Sequence, residues 1–308
     1  MINKILLFII IILTAIFGCS VERQPAVEEQ SGEDTIVPFI DSPVVEKGEI
    51  IQQISTGYGF TEGPVVDASG TLYFVDVPLN SIYKITPDGK SSLFLRESGC
   101  ANGLAIGYDG VLYACLNGDR SVVSVDSDGN YTLIANSYQG KRLNNPNDLW
   151  IDAKGGIYFT DPAYYIRDTI EQDGEQVYYI TPDRSTIMRV TDDLIRPNGI
   201  IGTQDNTLLY VADPGGKTIY RYTINDDGTL SNKEVFVNEG SDGMTIDGEG
   251  NIYLTFRSVI VYDPNGTRIE TIHVPESPTN VCFGGSDKKT LFITARTSVY
   301  SLRMKVSG

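Results

Sequence analysis

Six residues at one recurring distance carry the chemistry this chain has to offer. Glu62 stands ten residues before the Leu72-Tyr73 pair, Asn102 ten before Leu112-Tyr113 and Asn147 ten before Ile157-Tyr158. Asn198 precedes Leu209 by eleven, Asp242 precedes Ile252 by ten and Asn280 precedes Leu291 by eleven. Every one of the six offers oxygen, and two carry negative charge. Polar groups withdrawn from water cost free energy unless they find partners, so six such side chains meeting at one place want a cation between them. Oxygen-only donors with two charges suit a hard dication, Ca²⁺ ahead of Mg²⁺ or Mn²⁺. No His or Cys joins the set, which argues against Zn²⁺ as the intended ion. Asn and Asp also cap turns everywhere, so the weight lies on the sixfold recurrence.

The elements needed to make six distant residues converge are legible as repeats. The strand "GTLYFVD" at Gly70–Asp76 returns as "GVLYACL" (Gly110–Leu116), "GGIYFTD" (Gly155–Asp161), "TLLYVAD" (Thr207–Asp213), "NIYLTF" (Asn251–Phe256) and "TLFITA" (Thr290–Ala295). A second signature follows each: "SIYKI" from Ser81, "SVVSV" from Ser121, "TIMRV" from Thr186, "TIYRY" from Thr218, "SVIVY" from Ser258 and "SVYSL" from Ser298. Asp-Gly and Asn-Gly turns punctuate them, as tight hairpins require. Six units of about 44 residues, each with about four short strands, predict an all-β, six-bladed β-propeller. The stretch Val45–Ser55 is expected to complete the last blade and close the ring, which removes exposed strand edges. The six polar residues sit at the entry to the innermost strands, so they line the axis at one face.

The net charge of −16 and pI near 4.4 exclude nucleic acid as a partner, because a phosphate backbone is repelled. Residues 1–18 read as a secretory leader: one lysine, then an apolar run too short for a comfortable membrane span. Ala15-Ile16-Phe17-Gly18-Cys19 resembles a bacterial lipobox, with Cys19 as the lipidated residue. Residues 19–44 form an acidic, Pro- and Ser-containing tether, and 45–308 the propeller. The expected placement is the bacterial cell envelope, as a monomer touching the membrane only through its lipid anchor and facing the periplasm or the cell surface. Of the remaining cysteines, Cys100 and Cys115 either pair or stay as buried thiols, and Cys282 is left over.

In combination, "TEGP", "KRLNNPNDLWIDAKGGIYFTDP", "RPNGI", "LLYVADP", "SDGMTIDGEGNIYLT" and "PTNVCFGGSDKKTLFITA" resemble the senescence-marker-protein/gluconolactonase family of metal-dependent lactonases, from Gly57 to about Met304. The resemblance implies one divalent cation held by Glu62, Asn198 and Asp242, with Asn147 on metal or substrate and Asp242 as general base or acid. It implies hydrolysis of a sugar or related lactone. Two departures stand out. Asn145 occupies a position where some members have a sugar-binding Arg, and Asn117 one where many bacterial members have His. Both put gluconolactone itself in doubt. Two other readings remain: a non-catalytic propeller binding a carbohydrate or partner, and a phosphotriester hydrolase on the same ring.

Substrate contacts are expected from Asn102, Asn145 and Asn147, and from a Tyr-rich insertion in the third blade. That insertion follows Asp161, runs about twenty residues longer than its counterparts up to Thr186, and overhangs the ring. Tyr164, Tyr165, Tyr178 and Tyr179 are its candidate flanking rings. His273, the single histidine, reads as peripheral and structural, and Trp150 as core.

Overall fold

The second strand of each repeat explains the architecture. Leu112–Leu116 is buried at every residue, and alternate side chains of a strand point to opposite faces. Leu112, Ala114 and Leu116 pack into one cluster with Val75, Ile82 and Leu104, whereas Tyr113 and Cys115 pack into another with Leu149, Ile157 and Phe159. Both faces of the sheet are therefore covered, which is why these strands read as continuous apolar runs.

In the computed structural model, which describes Cys19, residues 37–164 and residues 169–308, this arrangement repeats around a ring. The described residues form six four-stranded antiparallel sheets. Blade I is Thr61–Val66, Leu72–Asp76, Ser81–Ile85 and Ser91–Arg96; blade II is Ala101–Ile106, Leu112–Leu116, Ser121–Val125 and Tyr131–Ala135. Blade III is Leu149–Ile151, Ile157–Asp161, Gln176–Ile180 and Ile187–Thr191; blade IV is Ile200–Gly202, Leu208–Asp213, Thr218–Ile224 and Leu230–Val237. Blade V is Met244–Ile246, Ile252–Thr255, Val259–Tyr262 and Arg268–Ile272. Blade VI takes Pro278–Gly284, Thr290–Ala295 and Ser298–Arg303 from the C-terminus and its outer strand, Gln52–Thr56, from the N-terminal side. The six apolar clusters each sit between two neighbouring blades, the sixth joining Val299 of blade VI to Leu72 and Phe74 of blade I. Ring closure by the segment before blade I is as expected.

Turns on the face away from the ring of polar residues are held by one device. Asp67 Oδ1 accepts the backbone N–H of Ser69 and of Thr71, both at 2.9 Å, and Asp152, Asp247, Asp126 and Asp263 repeat it two and four residues on. A carboxylate doing this replaces backbone partners that the tight turn cannot supply.

Two expectations are corrected in blade III. The strand after Asp161 is "QVYYI" (Gln176–Ile180), and "TIMRV" belongs to the fourth strand, Ile187–Thr191. The insertion is therefore 162–175, against 77–80, 117–120 and 214–217 in blades I, II and IV. Tyr178 and Tyr179 are core residues of the sheet, 0% and 3% exposed, and do not flank the ring. The insertion is fastened sideways onto a small hairpin, Ser137–Tyr138 with Lys141–Arg142: Gln172 Nε2 donates to Lys141 O at 2.9 Å and Arg142 N donates to Glu171 Oε2 at 2.8 Å.

The pairing of Cys100 departs from expectation: it is joined in a disulfide to Cys19 and not to Cys115. Cys115 and Cys282 are free thiols. The leader over 1–18 and tether residues 20–36 lie outside the described residues. No helix among the described residues is long and apolar enough to cross a membrane.

Candidate functional site

At four of the six ring positions a glycine follows the polar residue and lets neighbouring inner strands approach closely. A Cβ on Gly63, itself at φ +51°, would stand 2.1 Å from Asn102 O. One on Gly103 would stand 2.5 Å from Asp148 Oδ1, one on Gly199 2.6 Å from Asp242 O, and one on Gly243 2.0 Å from Asn280 Cγ. Real atoms do not pack at such distances, so these positions have no room for a side chain. Neighbouring blades also bond directly here: Gly103 N donates to Asn147 O at 2.7 Å, Gly199 N to Asp242 O at 2.8 Å and Gly243 N to Thr279 O at 2.8 Å.

The residues just before these glycines meet. Asn198 Nδ2 donates to Asp242 Oδ1 at 2.8 Å and to the Tyr164 hydroxyl at 3.0 Å. Asn280 Nδ2 donates to Glu62 Oε2 at 3.2 Å, and Gly63 N reaches the same oxygen at 2.9 Å. Asn102 Nδ2 donates to Asn147 O at 3.3 Å. Asn147 is buried, and its Oδ1 has no partner. Asn145 Nδ2 donates to Asn117 O and Asn117 Nδ2 to Pro146 O, so the two positions that depart from the family pattern brace each other. Tyr165 lies outside the described residues. His273 is exposed just past the outer strand of blade V, at the periphery as expected. Trp150 packs on Tyr158, and its edge also lines the axial cavity.

One acid was missed. Asp148 is 7% exposed and takes hydrogen bonds from Leu149 N, Asn280 and Ile200 N. The signal was available: Glu62, Asn102, Asn198 and Asp242 are each followed by glycine, and Asn147 is followed by Asp148. Gly103 leaves the space that Asp148 fills. Behind it a cavity of about 300 Å³ runs down the axis between Leu104, Trp150, Ile200, Met244 and Val281, with Asp148 and Asn280 at its inner end.

Burial shapes the electrostatics. Loss of hydration pushes Glu62 well above the usual carboxylate range, and the charges of Asp242 and Asp148 push it further. Burial raises Asp148 to about 7, opposed by the Leu149 N–H, and raises Asp242 to about 6, opposed by Asn198. Among the described residues no ion pair includes any of the three. Three carboxyls packed together without a cationic side chain, beside an unpartnered buried amide oxygen, are a donor set that fits a hard cation. Among the described residues no three His, Cys, Asp or Glu gather to chelate an ion unaided, so the carboxamides have to complete any such site.

Comparison with known proteins places this geometry. The SMP-30/Gluconolactonase/LRE-like region description matches residues 60–297. A gluconolactonase of Zymomonas mobilis is 30% identical over 88% of this chain and 85% of its own length. A pentonolactonase of Haloferax volcanii is 28% identical over 80% of this chain and 84% of its own. The solved structure of a Xanthomonas campestris gluconolactonase superposes with a TM-score of 0.80 at 28% identity, covering 87% of this chain and 97% of that one.

Proposed function

Because the chain belongs to the SMP-30/gluconolactonase/LRE-like family, we propose that it hydrolyses a lactone of a polyhydroxylated acid at the axial ring. The observation that carries this reading is Asp242, half-buried, held by Asn198 and close enough to Glu62 for its charge to act there, with no cationic partner among the described residues. Glu62, Asn198, Asp242 and Asn147 would hold one divalent cation, with Ca²⁺ first in order and Mg²⁺, Mn²⁺ and Zn²⁺ behind it. When bound, such an ion supplies Lewis acidity at the ring carbonyl and the developing oxyanion.

The chain's own residues do the rest. Asp242 takes a proton from water as its oxygen attacks the carbonyl carbon. The ring C–O bond then breaks, and the departing alkoxide takes that proton to become a hydroxyl. Asn198 keeps Asp242 aimed through its 2.8 Å bond. Asn102, Asn145 and Asn147 offer carboxamides, which both donate and accept, to vicinal hydroxyls. Tyr164 comes from the insertion to the same place, its hydroxyl on Asn198. Glu171 and Gln172 anchor the later part of the insertion to the hairpin at 137–142.

The test is a panel of aldono- and alkyl-substituted lactones, with a phosphotriester for comparison, assayed with each of the four ions after chelation. Turnover of the polyhydroxylated lactones, abolished by chelator and restored by one ion, supports the reading. Indifference to chelation rejects it. For placement, the leader-like residues 1–18 and a Cys19–Cys100 disulfide favour an oxidising compartment outside the cytoplasm. Non-reducing peptide mapping of the mature chain decides whether Cys19 carries sulfur–sulfur bonding or lipid.

A further inference from the structure

Three of the six second strands end in aspartate: "YFVD" at Asp76, "YFTD" at Asp161 and "YVAD" at Asp213. All three are at most 1% exposed. None lies at the axis, yet each reaches the loop that leads into its own blade's inner strand, at the same place. Asp76 accepts the backbone N–H groups of Gly59 at 2.9 Å and Phe60 at 3.3 Å, three and two residues before Glu62. Asp161 Oδ2 accepts Asn144 N at 2.8 Å, three residues before Asn147, while Asn145 N donates to the carbonyl of the next residue along, Pro162 O, at 3.0 Å. Asp213 accepts Ile195 N at 3.0 Å and Arg196 N at 2.8 Å, three and two residues before Asn198.

Blades II, V and VI end these strands differently, at Leu116, Thr255 and Ala295. There other groups do the fastening: Asn80 Oδ1 takes Cys100 N at 2.7 Å, Thr255 Oγ1 takes Gly243 N at 2.9 Å, and Thr294 Oγ1 takes Asn280 N at 3.1 Å. The carboxylate device thus appears in the blades that supply Glu62, Asn147 and Asn198. Blade III elaborates it. Buried Arg120 donates Nε–H to Leu143 O at 2.6 Å and sets its positive charge near Asp161, while Asn144 Nδ2 ties the same loop to Asp161 O and Gly174 O.

We propose that Asp76, Asp161 and Asp213 are positioning residues, each fixing the entry loop that aims one axial donor: Glu62, Asn147 and Asn198 respectively. A carboxyl group is suited to the task because its two oxygens can each accept a neighbouring backbone N–H, as at Asp76 and Asp213, while at Asp161 one oxygen holds Asn144 N. A donor held from behind in this way loses little freedom when an ion arrives, so the supporting bond enters the binding affinity. The inference rests on the reading that these donors hold a divalent cation, and it extends that reading to residues that touch neither ion nor substrate.

The experiment uses two sets of carboxylates that accept backbone N–H groups, one at the strand ends and one in the far-face turns. Asp76→Asn, Asp161→Asn and Asp213→Asn replace one of two acceptor oxygens at the strand ends; Asp67→Asn and Asp247→Asn do the same in turns on the far face. Ca²⁺ alone is titrated by calorimetry, with Mn²⁺ as second probe, and Tm, KM and kcat are measured beside it. The strand-end variants should weaken Ca²⁺ binding by about 10-fold or more, with Ala in place of Asn doing more damage. The turn variants should lower Tm but move Ca²⁺ affinity less than about 2-fold, a level set by non-contacting sites being additive. Equal loss of affinity per degree of Tm in both sets, or unchanged affinity at the strand ends, overturns the proposal. Should the wild-type chain bind neither ion, the metal reading fails by itself. Amide exchange then decides: the strand-end variants must speed exchange over 59–62, 144–147 and 195–198 beyond the rest of the ring, and uniform exchange overturns the positioning role.

Discussion

Carboxyl groups on the two faces of this propeller behave in opposite ways. On the far face, Asp126 and Asp263 sit at turns and collect two backbone N–H bonds each; the Asn130 carboxamide with those N–H groups holds Asp126, and chiefly the Thr267 N–H holds Asp263, below the usual carboxylate range. At the axis, Glu62, Asp148 and Asp242 also receive hydrogen bonds, yet all three are pushed up. The side-chain chemistry is the same and the number of donors is similar. Hydration is what differs: loss of water outweighs one to three N–H dipoles at the axial acids, and at Glu62 like charges add to it. Turn acids are satisfied as they stand, and axial acids are satisfied only by a proton or a cation.

The comparison breaks most sharply at Asp242. Asp242→Asn is expected to lower lactone turnover by on the order of 10²–10⁴-fold, whereas Asp263→Asn should leave it unchanged; initial rates at saturating substrate separate them. Chelation comes next. Removing a cation present at about 100 times its Kd should cost about 2.7 kcal/mol of stability, seen as a Tm drop that Ca²⁺ reverses, and the drop should vanish when Glu62 and Asp242 are both made amides.

Glycines sharpen the same contrast. Gly89 lies in an outer turn at φ +82° with nothing within 4 Å of a would-be Cβ, so Gly89→Ala should cost about 1–2 kcal/mol from backbone strain. Gly63→Ala adds a clash with Asn102 O and should cost a further 1–3 kcal/mol or so; calorimetric unfolding measures both, and cation affinity should fall only for Gly63→Ala.

The smallest expected effect is on pH dependence. An unfolded chain releases aspartate protons near pH 4 or so, but folded Asp242 and Asp148 keep theirs to about 6 and about 7. Below the unfolded value, both states are protonated and the contribution to stability is present in full. As pH rises through the folded values, the native state is left with buried charge, so the contribution is lost. Tm of the chelated protein is expected to fall between about pH 4 and 7, and Ca²⁺ to flatten that fall. A chelated Tm that rises across this window would show the axial acids already neutralised by something else.

Much of this was legible in the sequence, for a physical reason. Blade count and the ring positions Glu62, Asn102, Asn147, Asn198, Asp242 and Asn280 follow from local spacing, because each inner strand, turn and second strand form one hairpin. Asp148 was not legible by the same route. Its inward aim depends on Gly103 of the preceding blade having no side chain, which is a relation between hairpins. The misplaced "TIMRV" has a local cause: third and fourth strands share the same Ser/Thr-plus-apolar pattern, and the insertion at 162–175 displaced the counting. The use of Cys19 was hidden because its partner, Cys100, is 81 residues away.

Blade VI combines both ends of the described chain: Gln52 pairs with Ser301 and Thr56 with Ser298. During synthesis, Glu62 emerges early, but the residue that holds it, Asn280, and the strand that seals the ring come last. No partial chain can assemble the axial site, and a nascent chain carries three acids with nothing to gather them until its final strand is free.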